Sequence, residues 1–213
     1  ADCFDPSRPW LDFYLPVLPR AGLYYVDGQI LDEAHRHGLT VCAGLWLGHE
    51  RHGFDYGDRP AVLRQLETTL EAVRRHKDHP ALLMWGVGNE MEGDGTNPDI
   101  WKAVEEIARE IKRIDPDHPT MTVIAELGSD KVESIERFCP SIDIVGVNSY
   151  GGITTVGERY RAAGGSKPYV ITEQGPPGPW EVGKTAWGSP IEMSSTAKGE
   201  WVANGYRKAV TEQ

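Results

Sequence analysis

A chain of 213 residues is long enough to bury one sizeable core, and nothing in it reads as a linker between two. Its net charge of -10 argues against nucleic acid as a partner, because phosphates would be repelled. No apolar run reaches the length of a membrane span, and no basic segment followed by an apolar one opens the chain as a signal peptide would.

Residues 1–28 are expected to be irregular. Pro6, Pro9, Pro16 and Pro19 break any long helix, with Trp10, Phe13 and Tyr14 between them lacking a period. A weak strand is expected over 23–26, and another somewhere in 10–18. From Gln29 the pattern clears: Ile30, Leu31 and Ala34 outline a short helix stopped by Gly38, and residues 39–47 form an apolar strand. Cys42 within it reads as a buried core thiol. With Cys3 and Cys139 it makes an odd set without a CxxC pair, so neither zinc nor a disulfide framework is indicated.

A polar and aromatic loop, 48–57, leads to a helix over 61–76 that aligns Leu63, Leu66, Leu70 and Val73 on one face. The apolar run Met84-Trp85-Gly86-Val87-Gly88 then ends abruptly in Asn89-Glu90, which reads as a buried strand delivering one carboxylate. The next helix places Ile100, Val104, Ile107, Ile111 and Ile114 on one side and is terminated by Asp115-Pro116. Strands follow over 120–125, ending at Glu126, and over 142–147, ending at Asn148-Ser149-Tyr150, with short helices over 132–138 and 156–163. The strand of residues 168–172 delivers Glu173 and Gln174.

Strand and helix thus alternate, and the strands are apolar throughout, as when a parallel sheet is covered on both faces. Polar residues gather just after the strand ends: His49 and Glu50, Asn89 and Glu90, Glu126, Asn148 and Tyr150, Glu173 and Gln174. In a (β/α)8 barrel of the TIM type those positions share the rim on which active sites are built. An open doubly wound sheet would also gather them on one edge, but no glycine-rich phosphate loop follows an early strand. The expected architecture is therefore an α/β barrel-type catalytic domain spanning residues 1–213. It reads as incomplete, because five strands are clear, the first two are poorly defined and no eighth is visible before Gln213.

The passages Trp85-Gly86-Val87-Gly88-Asn89-Glu90 and Ile171-Thr172-Glu173 resemble the fourth-strand and seventh-strand motifs of clan A glycoside hydrolases, retaining enzymes on (β/α)8 barrels. The passage from Ile30 to Val41 is similar to the helix-to-third-strand stretch of family 2 and its relatives. The resemblance implies Glu90 as acid/base and Glu173 as nucleophile of a double displacement on a β-linked glycoside. It also implies Asn89 as a partner of the sugar 2-hydroxyl and Tyr150 as the tyrosine that hydrogen-bonds the nucleophile. It implies an oligosaccharide or polysaccharide substrate, no cofactor, and a secreted or periplasmic setting. The chemistry needs one protonated carboxyl to release the leaving oxygen and one carboxylate about 5 Å away to attack the anomeric carbon.

Around that pair, Trp46, His49, Asn148, Trp180 and Trp187 are the candidate substrate contacts, the tryptophans as flat faces for pyranose rings. Trp85, Trp101 and Trp201 read as core or helix residues. His49, Glu50 and His52 lack the spacing of a helical metal motif and read as a solvated rim loop. Glu92, Asp94, Asn97 and Asp99 lack the terminal glutamate of a calcium loop and read as a solvated loop capping the next helix. The family's second-strand arginine has no counterpart in register, Arg20 lying upstream. A transglycosylase using the same residues, a non-catalytic carbohydrate-binding relic and, more distantly, a metal-dependent hydrolase remain alternatives.

Overall fold

The computed structural model describes residues 28–128 and 130–212. In chain order it contains α1 (Gly28–Arg36), β1 (Val41–Leu45), a 3-10 turn (Glu50–His52), α2 (Arg59–His76), β2 (Leu82–Asn89), α3 (Pro98–Ile114) and β3 (Thr120–Ala125). It continues with α4 (Lys131–Phe138), β4 (Ile144–Tyr150), a second 3-10 turn (Ile153–Thr155), α5 (Val156–Ala162), β5 (Tyr169–Gly175) and α6 (Ser195–Glu212). The strands expected over 10–18 and 23–26, the irregular segment around them, Cys3 and Arg20 lie outside the described residues.

All neighbouring strands pair in parallel, in the order β1-β2-β3-β4-β5, each with the next in sequence. With a helix between successive strands, this is the curved half of a (β/α)8 barrel, the incomplete TIM-type architecture expected from the alternation. The helices start and stop where local chemistry dictates. Asp58 caps α2 by accepting the Ala61 N–H, and Asn97 caps α3 by accepting the Asp99 N–H, each followed by a proline in the first turn. Gly38, just past α1, supplies the left-handed backbone (φ 67°) that ends it.

One face of the sheet packs on the helices. Ala43, Leu45, Trp85, Val87, Ile124, Val145 and Val147 join Val73, Ile100, Val104, Ile107, Ile111 and Ile135 in one fully apolar cluster. On α2 the buried stripe is Val62, Leu70 and Val73, with Leu66 half-buried; Leu63 is exposed, because the helix turns its neighbour Val62 to the core. The bidentate pair of Arg59 with Glu106, at 2.5 and 2.6 Å, ties α2 to α3 on the outside. At the foot of β2, the buried Trp85 indole donates to Asp115 Oδ2 at 2.8 Å.

The other face is only partly covered, which corrects the expectation of burial on both faces. β3, in the middle, is buried over its first five residues, whereas Cys42 on β1 and Val170 on β5 are exposed. Cys42, on this face, is exposed and so is not the buried core thiol expected. Where this face is close-packed it demands glycine: a Cβ on Gly146 of β4 would meet Val123 Cγ2 at 2.7 Å.

Candidate active site

The C-terminal ends of the strands converge on one pocket. Arg51, Glu90, Ala125, Glu126, Asn148, Tyr150, Glu173, Trp180 and Glu181 line a cavity of about 410 Å³. Each wall comes from a strand end or the loop just after it, the placement a parallel sheet imposes on its polar termini.

Glu90 reaches the pocket through a local departure from the β2 ladder. The pairing of β2 with β3 shifts register between Gly86 and Asn89, at Gly88, whose φ is 75°. A Cβ there would meet Met91 Sδ at 2.2 Å, so only glycine fits the bulge. Glu90 itself is left-handed (φ 52°), uncommon for a residue with a side chain, and is held by its N–H donating to Val123 O at 3.0 Å. Its carboxylate accepts from Asn148 Nδ2 at 2.8 Å on Oε1, and the Arg51 guanidinium stands 3.5 Å from Oε2.

Asn148 is buried and serves both glutamate-bearing strands. Its amide also donates to Asn89 Oδ1 at 3.1 Å, and its Oδ1 accepts the Thr172 hydroxyl at 2.6 Å. Because β4 and β5 shift register between Val147 and Asn148, Asn148 lies beside Glu173 and Tyr150 beside Gly175. The Tyr150 hydroxyl donates to Glu173 Oε2 at 2.7 Å. That hydrogen bond, with burial and the charges of Glu173 and Glu90, pushes the Tyr150 phenol up to about 12, so it remains a proton donor at any physiological pH. Trp180 stands edge-on to the Tyr150 ring, centroids 5.4 Å apart, and is 69% exposed.

Glu126 adds a third carboxylate to the wall. It too is left-handed (φ 57°) and accepts from Leu127 N–H, Ser149 Oγ and Arg159 Nη1 at 2.7–2.9 Å. Burial works against its charge, but these three donors outweigh it and hold the carboxyl below the usual glutamate range. Arg159 also donates to Gly152 O, so the loop after Tyr150 is stapled to the end of β3.

Four of the sequence candidates are placed away from this pocket or at its margin. Asn89 touches it through Asn148. Trp46 lines a separate cavity of about 320 Å³ between β1 and α2, with Phe54 and Gln65. Trp187 is 80% exposed in a small turn closed by the Lys184 and Pro190 bridge. His49 is 3% exposed, its ring stacked between Trp46 at 4.5 Å and His52 at 5.1 Å, with both ring nitrogens buried and unpartnered. Burial first, then the neighbouring Arg51 and His52, lower its pKa against the opposing pull of Glu90, so the ring is neutral near pH 7. A solvated histidine loop was expected, but stacking carries His49 inward. Glu92 corrects the solvated reading of the following loop in the same way, being fully buried. Arg51, Glu126, Glu181 and Glu92 carry no signal in their spacing beyond lying near strand ends.

Residues 15–177 match the family described as glycosyl hydrolases family 2, TIM barrel domain. Among curated relatives, the β-glucuronidases of Pongo abelii and Homo sapiens are 25% and 24% identical over 134 residues. Those residues are 62% of this chain and span 19% of the length of each relative. Among solved structures, β-D-glucuronidase of Dictyoglomus thermophilum superposes with a TM-score of 0.58 at 20% identity, covering 89% of this chain and 34% of that one. A GH10 xylanase of Thermobacillus composti gives 0.58 at 19% identity, over 85% and 61%. The β-glucuronidase of Bacteroides uniformis gives 0.61 at 14% identity, over 87% and 24%. At these identities the structures speak to the fold, a (β/α) barrel.

Proposed function

The chain belongs to glycosyl hydrolase family 2, and from that premise we propose that it is a retaining glycosidase cleaving a β-linked glycoside, with Glu173 as nucleophile and Glu90 as acid/base. The observation that carries the reading is that Glu90 and Glu173 line one pocket with different partners: an amide and a guanidinium at Glu90, a phenol at Glu173. Two carboxyl groups reaching one pocket from different strands are what a proton donor to the leaving oxygen and an attacker of the anomeric carbon require.

In the first step Glu90 gives its proton to the glycosidic oxygen as that bond breaks, and a Glu173 oxygen bonds the anomeric carbon, forming a glycosyl-enzyme. Tyr150 holds the attacking carboxylate in place and, once the ester forms, its hydroxyl is free to donate to the ring oxygen side of the sugar. In the second step Glu90, now ionised, takes a proton from water as the water oxygen displaces Glu173. In this reading Asn89, whose Oδ1 accepts from Asn148, is the partner of the sugar 2-hydroxyl, where a hydrogen bond strengthens in the transition state. Trp180 offers the flat apolar wall for a pyranose ring. The same reading takes residues 1–213 as one barrel-type catalytic unit acting on an oligosaccharide or polysaccharide without a cofactor. A sugar hydroxyl in place of water in the second step would make the reaction a transglycosylation.

A 2-deoxy-2-fluoro glycoside with a dinitrophenolate leaving group tests the proposal, because it stalls the second step. Mass spectrometry should find one glycosyl adduct, on the peptide carrying Glu173, and Glu173→Gln should abolish it. Release of the α-anomer as first product from an ordinary aryl β-glycoside, or full turnover by both Glu90→Gln and Glu173→Gln, would sink the assignment.

A further inference from the structure

Beyond Glu90, β2 no longer pairs with β3 through its backbone, yet the ladder does not end there. Val123 and Ala125 of β3 turn their polar backbone groups toward β2, and Val123 O accepts the Glu90 N–H. Ala125, one rung further, has no strand residue opposite. Its N–H donates to Glu92 Oε1 at 2.9 Å, and its carbonyl accepts from Lys131 Nζ at 2.5 Å. Lys131 Nζ and Glu92 Oε1 are 3.0 Å apart, with the two side chains 7% and 0% exposed. A buried ion pair therefore replaces the missing rung, its carboxylate standing in for a strand carbonyl and its ammonium for a strand N–H.

The loop is shaped around this pair. Gly95, left-handed at φ 82°, passes where a Cβ would meet Lys131 Cγ at 2.5 Å, and its carbonyl is pinned by the Trp101 indole at 3.0 Å. Replacing a buried pair by apolar groups is commonly neutral or stabilising, so stability alone is a weak reason for this arrangement. Its geometric effect is direct: Glu92 is two residues after Glu90, and anchoring it to Ala125 fixes where the chain leaving β2 presents the Glu90 carboxylate.

We propose that Glu92 and Lys131 are positioning residues for the acid/base, acting through Glu90 by extending the β2 and β3 ladder one rung past it. This rests on the glycosidase reading above. The test uses Glu92→Leu/Lys131→Met, which removes both charges together and so leaves no uncompensated buried ion. Two substrates share one sugar: a 2,4-dinitrophenyl glycoside, whose leaving group departs unaided, and an alkyl glycoside, which needs the acid. Misplacing the acid by about 1 Å should lower kcat/KM on the alkyl glycoside about 100-fold, with the dinitrophenyl glycoside nearly unchanged. Lys131→Arg, keeping a cation in the cavity, should recover part of the alkyl activity. Equal losses on both substrates, or no loss on either, overturn the positioning role while leaving the glycosidase reading intact. A wild-type protein that turns over neither substrate overturns that reading, and this inference with it.

Discussion

Asp115→Ala isolates a support at the far end of β2 from the pocket. Asp115 caps α3 and is 4% exposed, its Oδ2 accepting the indole N–H of Trp85, which is fully buried. His118 Nδ1 approaches both carboxylate oxygens at 2.9 and 3.0 Å. Removing the carboxylate loses a charge-assisted hydrogen bond and strands a buried donor, together about 3 kcal/mol. For a chain of this size that lowers Tm by roughly 6–12 °C. Burial opposes ionisation of Asp115, but the Trp85 and His118 hydrogen bonds and the His118 charge outweigh it, so its folded pKa is depressed. A depressed carboxyl stabilises fully above its unfolded pKa, about 3.9, and the contribution fades as pH falls through the folded value. Thermal unfolding followed by circular dichroism should therefore show a gap between wild type and variant at pH 7 that narrows below about pH 4. Asp115→Asn, which keeps an acceptor for the indole, should lose less than the alanine. A drop under about 2 °C for Asp115→Ala at pH 7, or a gap that widens below about pH 4, would refute the reasoning.

Two predictions concern the pocket. Tyr150→Phe deletes the 2.7 Å hydrogen bond to Glu173 and should lower kcat/KM on an aryl β-glycoside about 10- to 100-fold, as expected for losing a hydrogen bond to a charged group; an unchanged value removes Tyr150 from the nucleophile's support. Trp180→Ala should raise KM about 2- to 10-fold with a smaller change in kcat, the worth of one aromatic contact, and an unaltered KM would put the sugar ring elsewhere.

The strand ends were legible because burial leaves a plain trace: an apolar run that stops at a polar residue marks where a covered strand meets the rim. That alone brought Glu90, Asn148, Tyr150 and Glu173 into one neighbourhood. Helix starts were equally readable at Asn97 with Pro98, where capping chemistry is local. What escaped depends on partners distant in sequence. Glu92 lies in an acidic, glycine-rich stretch that reads as solvated, and only the arrival of Lys131 and the unpaired Ala125 rung draws it inside. Composition likewise could not place His49, whose burial comes from stacking on Trp46, nor separate Val62 from Leu63 on α2, adjacent apolar residues on a helix that buries one. Cys42, which is exposed, misled because an apolar run does not declare which face of its strand will be covered.

The strictly sequential strand order has a consequence for how the chain acquires its pocket. Among the described residues each strand from β2 to β5 pairs with the one made just before it, so each of these four pairings closes over one α-helix. Such a sheet can condense unit by unit as the chain emerges from synthesis, with modest loop-closure entropy at each addition. Glu90 is then in place while β5 is still unmade, and the carboxylate pair exists only after β5 docks. The docking of β5 is thus the step that brings the two glutamates to the same cavity.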